Sequence, residues 1–226
     1  MDINRIPFYQ YNTIIVGTGA AGLNAAVTLH KLGQKNIALI TEGRYMGTSR
    51  NTGSDKQTYY KLTQCGSEPD SVRKMAETLF DGGCVDGDIA MAEAAGSLRA
   101  FYHLVDIGVP FPFNKSGEYV GYKTDHDPLK RGISAGPLTS KYMTECLERQ
   151  AEERGIPFFD GYQAVRLLTE EKNGEKWAAG IIALNKRKES DGVPVRNCIC
   201  KAQVESVRNI PAVPAPLYIR GAGRKP

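Results

Sequence analysis

Apolar residues in the first part of the chain form two short β-branched runs separated by an Ala- and Leu-rich segment. The runs at 11–16 and 36–41 are too short for helices and predict buried parallel strands. Between them, residues 23–32 predict a helix that is closed by Gly33. Strand, glycine-rich turn, helix and strand within about thirty residues make one βαβ unit.

The middle of the chain combines a long polar loop with helical segments. Residues 43–66 are rich in Gly, Ser, Thr and Asn and show no regular period, and a loop this long in a compact domain is usually functional. Helices are predicted at about 67–80, with Ser67 as the N-cap, at 87–106 and at 136–154. In the second of these, helical spacing predicts one apolar face, formed by Met91, Ala95, Leu98, Phe101, Tyr102 and Val105.

The last third of the chain changes to the two-residue period of strands. After the short apolar stretch Phe158-Phe159, strands are predicted at 162–169, 177–184 and 193–200. Asn173-Gly174 and Asp191-Gly192 predict the turns between them. Three consecutive strands joined by short turns form a β-meander.

The turn after the first strand carries a Gly-x-Gly-x-x-Gly motif formed by Gly17, Gly19 and Gly22. Gly17 permits the tight turn, Gly19 lets a pyrophosphate approach the backbone, and Gly22 brings the helix close to the strand. The N–H groups at the helix N-terminus would then hold the phosphates. Glu42, at the end of the second strand, would accept a hydrogen bond from a ribose 2′-hydroxyl. A glycine-rich turn without a ligand is the alternative, and the motif alone does not choose between NAD and FAD.

The chain after Glu42 favours FAD. A plain NAD domain continues with a third strand and helix, whereas this chain continues with the polar loop, then helices, and much later the meander. This layout resembles the amino-terminal FAD-binding domain of the fumarate reductase, succinate dehydrogenase and aspartate oxidase flavoprotein family. The resemblance covers about residues 10–200 and is carried by the segments 14–23, 48–54, 125–136 and 161–165, of which the first is the most specific.

The resemblance implies a fold and a set of cofactor-binding residues. The fold would be α/β, a Rossmann-like FAD domain of the two-dinucleotide-binding type with a parallel sheet, intervening helices and a β-meander. Five residues would hold the pyrophosphate, Glu42 the adenosine ribose, five residues of the polar loop the diphosphate and flavin edge, and Ala164 the adenine through its backbone. The pyrophosphate residues are Gly17, Gly19, Ala20, Ala21 and Gly22, and the loop residues are Thr48, Ser49, Asn51, Thr52 and Gly53.

The resemblance also bears on how FAD would be attached. Several members of the family link FAD to a histidine in the loop after the second strand. Residues 43–66 of this chain contain no histidine, and Ser49 falls near that position. Non-covalent FAD is therefore expected.

The net charge of +4 comes entirely from the end of the chain. Residues 197–226 hold five basic residues, one acidic residue and four of the twelve prolines. The first 196 residues are therefore neutral. A neutral body argues against a nucleic-acid-binding domain. Residues 1–200 are predicted to form an incomplete FAD-binding domain, and 201–226 a disordered basic, Pro-rich tail. Complete members of the family continue with a further strand, a capping domain and a helical return, so the ending is interpreted as a truncation, a frameshift or a gene-annotation artefact rather than the native continuation.

Other signals constrain location and alternative sites. No apolar run approaches the roughly 18 residues that span a membrane, residues 1–12 do not form a secretory signal, and five cysteines without a C-x-x-C pair favour a reducing, cytoplasmic location. The C-x-C pair at 198–200 lacks partner ligands, so no metal site is predicted. The charged group at 125–127 with Arg131 is interpreted as a solvated turn with an ion pair, and a charged site is the alternative, since the resemblance places this stretch near the flavin.

The function implied by the resemblance is hydride transfer between flavin N5 and a small dicarboxylate such as fumarate or succinate. The protein would be an FAD-dependent oxidoreductase or the amino-terminal FAD domain of one, with an electron-transfer subunit as a potential partner. No catalytic acid is assigned within the chain. A non-catalytic dinucleotide-binding module and an inactive flavoprotein fragment remain the alternatives.

Overall fold

The computed structural model of the chain describes residues 7–54, 57–65, 69–125 and 127–186, and the backbone of 197–202. The described residues divide into a first unit, within Met1–Asn51 and Leu147–Ile210, and a second unit, within Thr52–Cys146. The strands are β1 (Phe8–Tyr11), β2 (Thr13–Val16), β3 (Ile37–Thr41), β4 (Tyr59–Tyr60), β5 (Gly132–Ile133), β6 (Phe158–Asp160), β7 (Tyr162–Lys172), β8 (Glu175–Asn185) and β9 (Asn197–Ala202). The helices are α1 (Ala20–Lys31), α2 (Thr48–Asn51), α3 (Val72–Asp81), α4 (Gly87–Asp106) and α5 (Thr139–Glu153).

The first unit contains a parallel sheet with the strand order β2-β3-β6. Its central strand β3 is the apolar run predicted from the sequence, and its first four residues are at most 1% exposed. The predicted strand at 11–16 is interrupted at Asn12, because the N–H groups of Asn12 and Thr13 both donate to the carbonyl of Asn36. The third strand, β6, is the apolar pair Phe158-Phe159, which the sequence did not identify as part of this sheet.

Helix α1 connects β2 to β3 and begins at Ala20, three residues earlier than predicted. Its buried residues are Leu23, Ala26 and Val27. The predicted C′ glycine is confirmed, since Gly33 has φ +98° and its N–H donates to the carbonyl of His30. The N–H of Gln34 donates to the carbonyl of Leu29, which completes a Schellman motif.

The predicted meander is confirmed and forms a second sheet with the order β1-β9-β8-β7. Asn173 and Gly174 have φ of +54° and +80°, the left-handed pair that a type I′ hairpin turn requires. β9 pairs antiparallel with β8 and parallel with β1, and it ends at Ala202 rather than at 200. The predicted turn at 191–192 and residues 203–226 lie outside the described residues, so the domain boundary at 200 stays a prediction.

The second unit is built on the pair of helices α3 and α4. Helix α3 is capped by Ser71, whose Oγ accepts a hydrogen bond from the N–H of Lys74; the predicted cap, Ser67, lies outside the described residues, and the helix begins later than predicted. Contrary to prediction, the loop after Glu42 contains the short elements α2 and β4.

The buried face of α4 differs from the predicted one. Its buried residues are Ala90, Ala94, Ser97, Phe101 and Leu104. Met91 and Tyr102, predicted for that face, are 44% and 41% exposed. The difference arises because α3 contributes Met75 and Ala76 to the same cluster, and small residues on α4 allow the two helices to approach closely.

We expect the substitution Ala94→Leu to destabilise the protein by about 1–3 kcal/mol, since three extra carbon atoms would enter a packed interface at a fully buried position. Ala95→Leu is the matched control, because Ala95 belongs to the predicted face but is exposed. Urea unfolding followed by circular dichroism should show a lower midpoint for Ala94→Leu only. Equal midpoints for the two variants would contradict the helix orientation described above.

Candidate cofactor-binding site

The glycine-rich turn joins the carboxyl end of β2 to the start of α1. Gly17 has φ +104°, a conformation that favours glycine, and its N–H donates to the carbonyl of Ile40 at 2.8 Å. The turn is therefore tied to the neighbouring strand β3. The side chain of Thr18 strengthens this connection through hydrogen bonds to the hydroxyl of Thr41 at 3.2 Å and to the carbonyl of Arg44 at 3.4 Å.

The N-terminus of α1 has no side-chain cap. Gly19 is the N-cap residue, and no acidic residue occupies the first turn. The N–H of Leu23 makes the first intrahelical bond, to the carbonyl of Gly19. The N–H groups of Ala20, Ala21 and Gly22 therefore have no acceptor within the helix. Together with the helix dipole, these groups favour an anion at this end.

The three glycines of the motif meet different packing constraints. A Cβ at Gly22 would lie 2.2 Å from the carbonyl oxygen of Gly17, so α1 can approach the turn only because residue 22 has no side chain. A Cβ at Gly19 would lie 3.3 Å from Oγ of Ser49, and one at Gly17 would meet no atom within 4 Å. The φ of Gly17 and the contact at Gly22 agree with the turn and packing roles predicted for these glycines, and their roles in binding a ligand stay a prediction.

The polar loop passes over this turn. A Cβ placed on Gly47 would lie 3.8 Å from the Cα of Gly19, so the two backbones pass close to each other. The predicted residues Thr48, Ser49 and Asn51 belong to α2, and Nδ2 of Asn51 donates to the carbonyl of Gly47 at 3.0 Å. The structure thus brings part of the predicted loop beside the glycine-rich turn.

Two arginines that the sequence did not single out fix the loop to α5. Arg44 and Arg50 both form ion pairs with Glu148, whose side chain is 10% exposed, and Arg44 also pairs with Glu152. The guanidinium of Arg44 lies 4.0 Å from the ring centroid of Phe158, a cation–π contact. Burial alone would lower the pKa of Arg44, but its hydrogen bonds to the two glutamates raise it.

Glu42 follows β3 as predicted, and its carboxylate is about half exposed. Its Oε2 accepts a hydrogen bond from Nζ of Lys186 at 3.1 Å. Ala164 lies on β7 opposite Ala183, and a β-bulge follows it, so that Val165 stands opposite no residue of β8. The bulge leaves Val165 outside the ladder while Ala164 itself is paired, so a backbone contact from Ala164 to a ligand stays a prediction.

Thr52 and Gly53 belong to the second unit. A Cβ at Gly53 would lie 3.1 Å from Cδ2 of Leu138, and the carbonyl of Thr52 accepts a hydrogen bond from Nε2 of Gln57. That these two residues share a site with Gly17–Gly22 stays a prediction.

The charged group around Arg131 is not the solvated turn that was predicted. Arg131 is fully buried, and its guanidinium makes two hydrogen bonds to the carboxylate of Asp70, at 2.7 and 2.9 Å. It also donates to the hydroxyls of Tyr60 and Thr78 and lies 3.5 Å from Oδ1 of Asp127. The ion pair exists, but it is buried, and the guanidinium finds acceptors on four residues of the second unit. His126 lies outside the described residues.

A protein-family model described as an FAD binding domain matches residues 12–205. The chain belongs to this FAD-binding-domain family. The predicted family, fold class and cofactor, FAD, are thereby confirmed. The arrangement fits FAD because the N-terminus of α1 has no side-chain cap and offers backbone donors to a diphosphate. Helix α1 can lie this close to the turn because residue 22 is a glycine.

Individual relatives of this FAD-binding domain are enzymes of known name. L-Aspartate oxidase of Pseudomonas aeruginosa is 27% identical over 190 residues, which cover 79% of this chain and 34% of that protein. The 8-methylmenaquinol:fumarate reductase flavoprotein subunit of Wolinella succinogenes is 28% identical over 166 residues, or 72% of this chain and 27% of that subunit. This FAD-binding domain therefore spans about a third of the length of the curated relatives it matches.

Solved structures show the same fold. Quinol fumarate reductase of E. coli superposes with a TM-score of 0.70 at 18% identity, covering 87% of this chain and 32% of that chain. Sdh1 of Mycobacterium smegmatis gives a TM-score of 0.73 at 16% identity, covering 87% and 33%.

Within the described residues of this FAD-binding domain, no helix is long and apolar enough to cross a membrane. Within the same residues, no group of three or more His, Cys, Asp or Glu side chains could hold a metal ion.

We expect Glu148→Gln to destabilise the protein by about 2–3 kcal/mol, because Arg44 and Arg50 would lose a charged partner that both share in a poorly exposed position. Glu153→Gln is the matched control, since Glu153 lies on the same helix in an exposed pair with Arg149. Thermal unfolding should show a clearly lower midpoint for Glu148→Gln. A midpoint equal to that of Glu153→Gln would show that the two arginines do not fix the loop.

The Asp70–Arg131 pair predicts a loss of stability in acid. Burial alone would raise the pKa of Asp70, but hydrogen bonds from Arg131, Thr63 and Ser71 outweigh it and hold this pKa below its ordinary value. The ionised carboxylate therefore stabilises the fold above the ordinary pKa of about 4, and this contribution is lost as the pH falls through the lower folded-state value.

The variant Asp70→Asn should lower the free energy of unfolding at pH 7 by about 3–5 kcal/mol, because Arg131 would remain buried without its counter-charge. Below pH ~4 the difference from the parent protein should narrow. Asp125→Asn, at an exposed position of the same charged group, should leave the denaturation curve unchanged. A constant difference between Asp70→Asn and the parent across this pH range would exclude the proposed linkage.

Proposed function

We propose that this chain is the FAD-binding part of a flavin-dependent oxidoreductase that acts on a small dicarboxylate of the fumarate or succinate class. The observation that carries the proposal is the uncapped N-terminus of α1, with Gly22 in contact with the turn at Gly17. Bound FAD would supply hydride transfer at flavin N5. The dicarboxylate class is supported by the names of its relatives, L-aspartate oxidase and a fumarate reductase flavoprotein subunit.

In this proposal the residues of the chain bind and orient the cofactor. The N–H groups of Ala20, Ala21 and Gly22 would donate to the diphosphate, and Glu42 would accept from the adenosine ribose. The loop residues Thr48, Ser49, Asn51, Thr52 and Gly53 would complete the diphosphate and flavin contacts. The backbone of Ala164, before the β-bulge, would contact the adenine.

The proposal also covers how FAD is attached, which partner exchanges electrons with it and where the protein is located. FAD would bind non-covalently, since residues 43–66 contain no histidine. Electrons would be exchanged with a partner subunit, as suggested by the relative that is a subunit of a menaquinol-dependent reductase. A reducing, cytoplasmic location is proposed from the cysteine pattern of the sequence, five cysteines without a C-x-x-C pair.

FAD titration of the purified chain tests the binding step. Binding should quench flavin fluorescence and give a visible absorption band that dithionite bleaches. Gly22→Ala should abolish binding, because the new Cβ would lie 2.2 Å from the carbonyl oxygen of Gly17. Gly96→Ala, within α4 where an added Cβ meets nothing within 4 Å, is the control that should bind FAD normally.

Fumarate reduction by a reduced dye tests the reaction. Bound FAD with fumarate turnover supports the proposal in full. Bound FAD without turnover supports the FAD-binding role alone and favours the non-catalytic binding module for the chain taken by itself. Failure of a folded chain to bind FAD would overturn the proposed site.

A further inference from the structure

Lys186 follows β8 and forms an ion pair with Glu42. Backbone hydrogen bonds fix the main chain on both sides of this ion pair. The last residue of β3, Thr41, is paired with Asp160 of β6. The next residue, Gly161, accepts a hydrogen bond at 2.7 Å from the N–H of Lys186. The end of β6, at Asp160 and Gly161, therefore holds the backbone next to Glu42 and the backbone of Lys186.

The ion pair itself contributes little to stability. The two side chains are 48% and 47% exposed, and Nζ lies 3.1 Å from Oε2. Exposed pairs of this kind are weak because water screens them and because two long side chains lose conformational freedom. A role in folding therefore does not account for a lysine whose backbone is fixed at this position.

Its position relative to the proposed ligand offers a different role. Thr41, next to Glu42, is hydrogen-bonded to Thr18 of the glycine-rich turn, so Glu42 stands at the strand edge where the dinucleotide would lie. Within the described residues, Lys186 is bonded to Oε2 of Glu42 and leaves Oε1 without a protein donor. A carboxylate whose rotamer is fixed in advance loses less conformational entropy when a ribose hydroxyl binds.

We propose that Lys186 is a positioning residue that orients the carboxylate of Glu42 toward the adenosine ribose of the bound dinucleotide. This inference rests on the proposed FAD site. It assigns Oε2 of Glu42 to the ammonium group and Oε1 to the ribose 2′-hydroxyl. Lys186 acts through Glu42 and contacts no phosphate.

The test compares ADP, which carries the adenosine half of FAD, with 2′-deoxy-ADP by isothermal titration calorimetry. The parent chain should prefer ADP. Lys186→Met should weaken ADP binding by about two- to five-fold, the range of an exposed charge pair, and should reduce the preference over 2′-deoxy-ADP. Lys186→Arg should restore much of the preference.

Two controls separate positioning from other effects. Lys172→Met removes a lysine from an exposed ion pair with Glu170 on the same meander sheet and should leave ADP binding unchanged. In a Glu42→Gln background, Lys186→Met should have no further effect, because the residue through which it acts has been altered.

The outcomes distinguish this inference from the proposed function. If the folded parent chain binds neither FAD nor ADP, the proposed site itself fails. If the parent binds both and Lys186→Met weakens ADP and 2′-deoxy-ADP equally, Lys186 contacts the phosphates instead and the positioning role is overturned. Unchanged or tighter ADP binding by Lys186→Met would overturn it as well.

Discussion

The close approach of α1 to the turn that precedes it is the constraint on which the proposed site depends. A single methyl group at residue 22 would lie 2.2 Å from the carbonyl oxygen of Gly17, well inside any permitted contact. Without that group, the first turn of the helix packs directly on the end of β2, and Gly17 is bonded to Ile40 of β3. Strand end, turn and helix start form one piece, so the backbone donors of the helix are oriented before any ligand arrives.

The loop beside this turn is held by ion pairs with helix α5. Glu148 lies between two guanidinium groups, those of Arg44 and Arg50, and α5 supplies it from a point about one hundred residues later in the chain. A carboxylate shared by two cations in a poorly exposed position is stabilising only while all three groups stay together. Helix α5 thereby holds a loop that has little regular structure of its own.

Features set by neighbouring residues were predictable from the sequence, and those set by distant partners were not. The βαβ unit, the Schellman glycine at Gly33 and the type I′ turn at Asn173-Gly174 each depend on a few consecutive residues. The strand β6 was missed because it has three residues and joins β3 only after a long insertion.

Which residues are buried also depends on partners that are distant in the sequence. Phe101 was correctly placed on the buried face of α4, but most of that face was wrong because the partner helix selects small residues over large ones. The burial of Arg131 was missed because Asp70, its main acceptor, lies 61 positions away in the sequence. For the proposed site, the glycines had a motif to reveal them, whereas Glu148 and Lys186 had none. Thr18 stood inside that motif at a position where any residue is allowed, so only the fold shows that its hydroxyl joins the turn to β3.

The charges around the proposed site largely cancel one another. Arg44 and Arg50 are matched by Glu148 and Glu152, and Glu42 is matched by Lys186. A diphosphate at the end of α1 would therefore find little net side-chain charge to attract it. The attraction would have to come from oriented backbone N–H groups, whose strength depends on alignment and short range rather than on net charge. This is why a glycine at position 22, which carries no functional group, would matter more to the proposed binding of a diphosphate than either of the two arginines of the loop.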